Sequence, residues 1–308
     1  TLPEYPDLKL HFPPILDVID YFEKEGFTRI HASTPGTLGL LALFISKLVD
    51  IPISGTYHTD IPQYVKSLTN DSFLEDVAWI YMIWFYNQME EVMVPSASTQ
   101  RQLIEKGLIA EKTKPLPRWV DTEVFTPVKR DINLWKEYGL DGAVKFLYVG
   151  RVSKEKNLEL LTHAFIDIIN AGFHAYLVIV GDGPYRAEME ERLKGLPVLF
   201  TGFLSGEGLY RIYASSDIFT FPSATDTFGN VVLEAQASGL PVIVSDEGGP
   251  KELIIDGETG IVIKADNKET LVNAMLSFLI DKSRISLMGE KARALKKKKK
   301  INDSESYS

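Results

Sequence analysis

The sequence predicts an α/β protein of two doubly wound domains, and three observations predict it. The chain has 308 residues, more than the ~100–200 of one ordinary domain. From residue 28 short apolar runs alternate with longer helical patterns, the mark of parallel strands covered by helices on both faces. The alternation breaks in the turn-like stretch Asp121–Pro127 and restarts at Lys145-Phe146-Leu147-Tyr148-Val149-Gly150. Two Rossmann-like halves facing one cleft are therefore expected, with 1–127 as the first domain, 128–295 as the second and 296–308 as a tail.

In the first half Arg29-Ile30-His31-Ala32 reads as a strand, 37–48 as a helix, Pro52–Tyr57 as a strand, 72–90 as a long helical segment, Glu91–Pro95 as a strand and 97–106 as a helix. Segment 72–90 sets Phe73, Val77, Ile80, Tyr81 and Trp84 on one helical face, with Trp79 and Phe85 elsewhere around it. Core packing is the expected role of that face, and an aromatic wall for an acceptor such as a lipid is the alternative. A polar helix follows near 131–138, and 121–144 is the expected hinge.

In the second half strands at 145–150, 175–181, 198–202, 218–222 and 241–245 are separated by helices at 157–170, 184–194, 206–214 and 229–239. Ligands of doubly wound sheets sit beyond the carboxyl ends of the strands, so the loops there are where chemistry is expected. The tail opens on Lys296–Lys300 and has no periodic apolar pattern, which points to disorder.

Composition sets limits on function. Hydrophobic residues make up 45% and charged residues 24% of the chain, the balance of a folded globular protein. With 33 basic and 42 acidic residues the net charge is -9, so no global positive field draws it to nucleic acid. The absence of cysteine excludes disulfides and thiolate chemistry and fits a reducing compartment, the cytoplasm being the expected one. No apolar run approaches the ~20 residues that span a bilayer, and Thr1-Leu2-Pro3-Glu4 has no signal-peptide character.

Four stretches carry candidate chemistry. In Gly150-Arg151-Val152-Ser153-Lys154-Glu155-Lys156-Asn157, after a strand, Arg151 and Lys156 can converge on a diphosphate beside a positive helix end; the alternative is a solvated basic turn. In Val180-Gly181-Asp182-Gly183-Pro184, Gly181 is a candidate ligand contact or plain turn punctuation. In the run from Phe221 to Pro241, Asp226 precedes a helix that contains Glu234, and amides near Phe228, Gly229 and Asn230 are free helix-start donors. Such donors suit phosphate or sugar oxygens, and the carboxylates suit paired sugar or ribose hydroxyls. A helix cap and a surface acid are the alternative, against which the neighbouring Ala, Ser and Gly imply tight packing. In Gly55-Thr56-Tyr57-His58-Thr59-Asp60-Ile61-Pro62, His58 and Asp60 stand just past a strand. No Asp-x-Asp pattern or His/Asp cluster has metal-ligand spacing, and no metal is expected.

On these motifs the sequence resembles the family 4 retaining glycosyltransferases of the GT-B fold, over nearly the whole of 28–290. Within them it is similar to lipid-sugar transferases of the mannosyltransferase and sulfoquinovosyltransferase type. In that family a Gly-Arg-x4-Lys loop grips the donor diphosphate, and an acid-x7-Glu motif around Phe-Gly binds sugar and ribose. The resemblance implies that Arg151 and Lys156, with Gly150 and Gly181, meet the diphosphate. It further implies that Glu234 holds the ribose, Asp226 the transferred sugar, and the Thr201-Gly202-Phe203-Leu204 loop the base. His58 is implied near the reacting sugar, and Asp60 is the acceptor-side candidate. One departure is visible: the first acid of the motif is more often Glu, and Asp226 is one methylene shorter.

The implied reaction is retaining transfer of a hexosyl group from a UDP- or GDP-linked sugar to a lipid or glycan hydroxyl, without metal or cofactor, in the cytoplasm or at the cytoplasmic membrane face. The stretch Asp246–Glu252 resembles a loop of lipid-acting members. Family members begin with a strand and a glycine-rich loop, neither of which is found before Leu10, so an incomplete first domain is expected. A sugar-nucleotide epimerase and a non-catalytic nucleotide-sugar-binding fragment are the rival readings; the spacing of Asp226 and Glu234 favours transfer.

Overall fold

The β-branched runs of the sequence form two all-parallel sheets in the computed structural model, which describes residues 14–116, 118–140 and 142–305. Two units divide between Pro117 and Arg118, ahead of the expected boundary at 127. The reason is local anchoring of 118–127 on the second unit. Arg118 reaches Asn230, the Phe125 ring meets Tyr210 and Tyr213 edge-on, and the Arg293 guanidinium donates to the carbonyls of Phe125 and Thr122.

The first unit runs α1 (Ile15–Glu25), β1 (Ile30–Ala32), α2 (Thr37–Val49), β2 (Ile53–Thr56), α3 (Ile61–Thr69), α4 (Ser72–Asn87), β3 (Glu91–Val94), α5 (Ala97–Glu105) and β4 (Thr113–Pro115). Its strands pair in chain order, β1-β2-β3-β4. Local chemistry starts the helices. Asp60 caps α3, accepting from the Gln63 amide, with Pro62 in the first turn. Asp71 caps α4 through the Phe73 amide, and Ser96 caps α5 through that of Thr99.

The core face expected on α4 is corrected. Phe73, Val77, Ile80 and Trp84 are exposed, at 70%, 46%, 71% and 48%, whereas Trp79, Met82, Phe85 and Tyr86 are buried. Large apolar residues surround this helix, so periodicity alone offers no preferred face; contact with the rest of the unit chooses it. The Tyr81 hydroxyl, for instance, donates to the Pro35 carbonyl.

The second unit runs α6 (Leu134–Glu137), β5 (Val144–Val149), α7 (Leu158–Asn170), β6 (Ala175–Val180), α8 (Arg186–Arg192), β7 (Val198–Gly202), α9 (Gly206–Ser215), β8 (Ile218–Phe221), α10 (Asn230–Ala237), β9 (Val242–Ser245), β10 (Gly260–Ile263), α11 (Lys268–Ile280) and α12 (Ser283–Glu305). Its sheet is ordered β10-β9-β8-β5-β6-β7. The strand order reverses at β5, which pairs with β8 through Phe146↔Ile218 and Leu147↔Phe219. Chains leaving two such strands turn to opposite faces of the sheet and leave a crevice beyond their carboxyl ends. Every residue of β5 and β8 is buried, as a parallel sheet covered on both faces requires.

Helix α12 continues through 296–305, where low complexity points to disorder. Lysine is a good helix former, and Lys296 is buried with its ammonium donating to the Leu253 carbonyl at 2.9 Å. Residues 306–308 of the expected tail, and the strand and glycine-rich loop sought before Leu10, lie outside the described residues.

Candidate active site

The loops that leave β5, β6 and β7 interlock through their backbones. The Gly150 amide donates to Val180 O at 3.0 Å, the Gly181 amide to Gly202 O at 2.8 Å and the Val152 amide to Asp182 O at 2.9 Å. Gly181 has φ +131°, and a Cβ there would stand 1.9 Å from Gly150 O. Glycine is therefore required at 181 both by conformation and by close approach. This interlock fixes the path of the Gly150–Asn157 loop.

That loop ends in a 3-10 turn, Lys154–Lys156, before α7. The Lys156 ammonium lies 3.0 and 2.9 Å from the two carboxylate oxygens of Asp226. The two side chains are only 13% and 22% exposed, so the pair is shielded and its attraction exceeds that of a surface ion pair. The Thr225 hydroxyl adds a second link, donating to Glu155 O at 3.1 Å. The loops after β5 and β8, the two strands at the order reversal, are thus tied together. Arg151 is exposed; its carbonyl accepts the Tyr148 hydroxyl at 2.7 Å, and the Tyr148 ring stacks on Phe221.

Gly229 precedes α10 with φ +91° and, lacking a side chain, does not itself cap the first-turn amides of the helix. The turn at 246–250 presses on the acid-bearing loop: the Gly249 amide donates to Asp226 O at 2.8 Å. A Cβ at Gly249 would meet Thr227 O at 2.2 Å. Arg118 lies over the Phe228 ring, 5.4 Å from its centroid, and donates to the Asn230 side chain at 3.4 Å. Arg118 is not legible in the sequence, because a single arginine in a proline-containing linker belongs to no motif or period.

Glu234, on α10, is half-buried, and its Oε2 accepts the Tyr213 hydroxyl at 2.9 Å. Burial raises the Glu234 pKa above the usual carboxylate value, and the hydrogen bond from Tyr213 pulls it down. Leu204, after β7, packs half-buried on the core of this unit, and Phe203 before it is exposed. Within one unit, then, the expected residues Gly150, Arg151, Lys156, Gly181, Leu204, Asp226, Phe228, Gly229, Asn230 and Glu234 all stand on strand-end loops or on α10, and Lys156 and Asp226 are in contact.

His58 and Asp60 belong to the first unit, after β2. His58 is exposed. Asp60 is buried, its carboxylate engaged by the Gln63 amide at 3.2 Å and the Gln102 amide side chain at 3.4 Å. Burial raises its pKa, and these hydrogen bonds lower it. Asp60 also starts a helix, a role that its place just past a strand does not reveal.

Comparison with known proteins bears on both units. The family model Glycosyltransferase Family 4 matches residues 1–124, and Glycosyl transferases group 1 matches 143–281. A sulfoquinovosyl transferase of Arabidopsis thaliana is 34% identical over 287 residues, covering 91% of this chain and 55% of that protein. A GDP-mannose-dependent alpha-mannosyltransferase of Mycolicibacterium smegmatis is 31% identical over 275 residues, covering 88% of this chain and 69% of the relative. The chain thus spans just over half the length of the first of these and about two thirds of the second. In fold it is similar to Anabaena HepE, solved with UDP and glucose, with a TM-score of 0.79 at 20% identity over 95% of this chain and 80% of that one. It is also similar to sucrose-phosphate synthase of Thermosynechococcus elongatus, with a TM-score of 0.77 at 24% identity over 92% and 72%.

Proposed function

The chain belongs to the family 4 glycosyltransferases and has their GT-B fold, and from that premise we propose that it transfers a hexosyl group from a nucleotide-diphosphate sugar to an acceptor hydroxyl, with the anomeric configuration retained. The observation that carries the reading is the shielded Lys156–Asp226 pair across the strand-order reversal. It puts a cation for phosphate and an acid for sugar hydroxyls side by side.

In this reading the acceptor oxygen bonds to the anomeric carbon as the bond from that carbon to the diphosphate breaks, negative charge gathers on the departing diphosphate, and the acceptor's hydroxyl proton passes to it. Arg151, Lys156 and the first amides of α10 stabilise that charge without reorganising. Asp226 accepts hydroxyls of the transferred sugar, Glu234 accepts those of the ribose, and the Phe203–Leu204 loop supports the base. No metal or cofactor takes part. The donor carries UDP, as the ligands named for HepE suggest, or GDP, as the names of the mannosyltransferases suggest.

The acceptor in this proposal is a lipid met at the cytoplasmic membrane face. No helix among the described residues is long and apolar enough to cross a membrane. The exposed stripe of Phe73, Val77, Ile80 and Trp84 on α4, with exposed Leu38, Phe44 and Leu48 on α2, offers apolar contact without insertion. The name of a relative 30% identical, alpha-monoglucosyldiacylglycerol synthase of Streptococcus pneumoniae, points to the same class of acceptor. Replacing Ile80 and Trp84 together by serine should cut co-sedimentation with phosphatidylglycerol vesicles by about tenfold or more, since each buried side chain contributes ~1.5–3 kcal/mol. Undiminished pelleting would remove α4 from the membrane contact.

The reaction itself is tested by incubation with radiolabelled UDP- and GDP-hexoses and a diacylglycerol-bearing vesicle. Label in the lipid, with the donor's anomeric configuration by NMR, is the expected result. Isomerised donor would identify an epimerase instead, and donor binding without turnover a binding fragment.

A further inference from the structure

We propose that Tyr213 is a positioning residue of the donor site, its hydroxyl holding the Glu234 carboxylate so that Oε1 is left for the nucleotide. The inference rests on the reading of Glu234 given above and extends it to a residue outside the motif.

The geometry is specific. Tyr213 is fully buried on α9, and its ring is wedged edge-on against Phe125, at 5.6 Å and 84°, and tilted against Phe219, at 5.8 Å. A ring held on two sides points its hydroxyl in one direction. That hydroxyl lies 2.9 Å from Glu234 Oε2, with the Val231 carbonyl a weaker alternative at 3.4 Å. Glutamate has three rotatable side-chain bonds, and without an anchor its carboxylate would sample several rotamers at a binding site that needs one. α9 begins two residues after Leu204, so one helix joins the expected base loop to the expected ribose acid.

The same bond sets the charge state. Burial favours the protonated acid at Glu234, and donation from Tyr213 favours the ionised one. Other charged or titratable groups stand on the elements around α10. Tyr148 of β5 acts on Tyr213, Arg118 reaches Asn230 at the helix start, Lys251 and Glu252 lie on the 3-10 turn Pro250–Leu253, and Arg293 of α12 donates to Ala237 O at the other end. Only Tyr213 is hydrogen-bonded to the Glu234 carboxylate among these groups.

Calorimetric titration of the full chain with UDP and GDP between about pH 5.5 and 8 tests this, using wild type, Tyr213→Phe, Glu234→Ala and Glu234→Gln. Tyr213→Phe removes a neutral donor from the Glu234 carboxylate while leaving that carboxylate in place, and should weaken binding at pH 7 by about three- to tenfold. Because the lost donor lets the Glu234 pKa rise further, affinity should fall on the acid side at a higher pH than in wild type. Donor KM should rise while kcat stays within about twofold. Glu234→Gln keeps an acceptor for the hydroxyl but cannot titrate, so its affinity should fall less steeply on the acid side than that of wild type, leaving only the protonation of the nucleotide's own terminal phosphate.

Wild-type affinity and an unshifted profile in Tyr213→Phe, beside weak binding by Glu234→Ala, would overturn the role of Tyr213 and leave the donor site standing. Wild-type affinity in Glu234→Ala would instead overturn the assignment of Glu234 itself. If Tyr213→Phe does not fold, a crystal structure of the wild-type chain with UDP decides: a Glu234 carboxylate turned away from the Tyr213 hydroxyl overturns the proposal.

Discussion

Replacing Lys156 by alanine should lower kcat by about two to three orders of magnitude, the ~3–4 kcal/mol that one preorganised charge contributes to a transition state. Two losses combine. The departing diphosphate loses a cation, and Asp226, which Lys156 grips through both oxygens, is left as an uncompensated and largely shielded negative charge. That charge also repels the donor. Adding Asp226→Asn to Lys156→Ala should therefore restore part of the donor affinity lost in the single variant without restoring turnover. Steady-state kinetics with donor titration read both effects. Turnover at the wild-type rate in Lys156→Ala would remove this lysine from the reaction, and an affinity in the double variant no better than in the single would show that repulsion by Asp226 is not part of the loss.

This pair also shows how far the sequence was legible. Lys156 and Asp226 are each recognisable, because both follow apolar runs that end in turn residues and chemistry in doubly wound sheets gathers there. Their contact is not recognisable, since it depends on β8 lying beside β5 rather than beside β7, an order no local pattern encodes. The strands of the second unit are legible as continuous apolar runs, and all five expected ones form. β4 has three residues and ends in proline, too short to show a period, while β10 and α11 lie past the last motif, where nothing in the sequence marks them.

Side-chain roles were less legible than elements. The exposed stripe of α4 looks like a core face, because apolar residues on that helix leave the choice to tertiary contact. Asp60 reads as an acceptor-side acid, and its capping of α3 is not legible beside that, because a cap and a ligand share the same residue types at the end of a strand. Tyr213 is one of several apolar or aromatic positions on α9, and only the fold reveals that its hydroxyl ends beside Glu234. In each case the residue type was visible and the partner was not.

Replacing Gly181 by alanine should cost stability on the order of 2–6 kcal/mol, the sum of ~1–3 for a backbone region that side chains rarely adopt and ~1–3 for a methyl forced into packed atoms. The new Cβ would stand 1.9 Å from Gly150 O, and neither backbone can move alone, because the Gly150 amide is bonded to Val180 O and the Gly181 amide to Gly202 O. Relief must come from parting the loops after β5 and β6. That displaces Gly150 and Arg151, so nucleotide binding should fall along with a melting midpoint lowered by on the order of 10 °C. Gly172→Ala is the control: φ is +84°, but nothing lies within 4 Å of its Cβ, and it should show only the conformational cost of about 1 kcal/mol. Differential scanning calorimetry, alone and with saturating UDP or GDP, separates the two. If both variants melt together and respond equally to nucleotide, the close approach of the two loops is not what shapes the site, and glycine at 181 serves its turn alone.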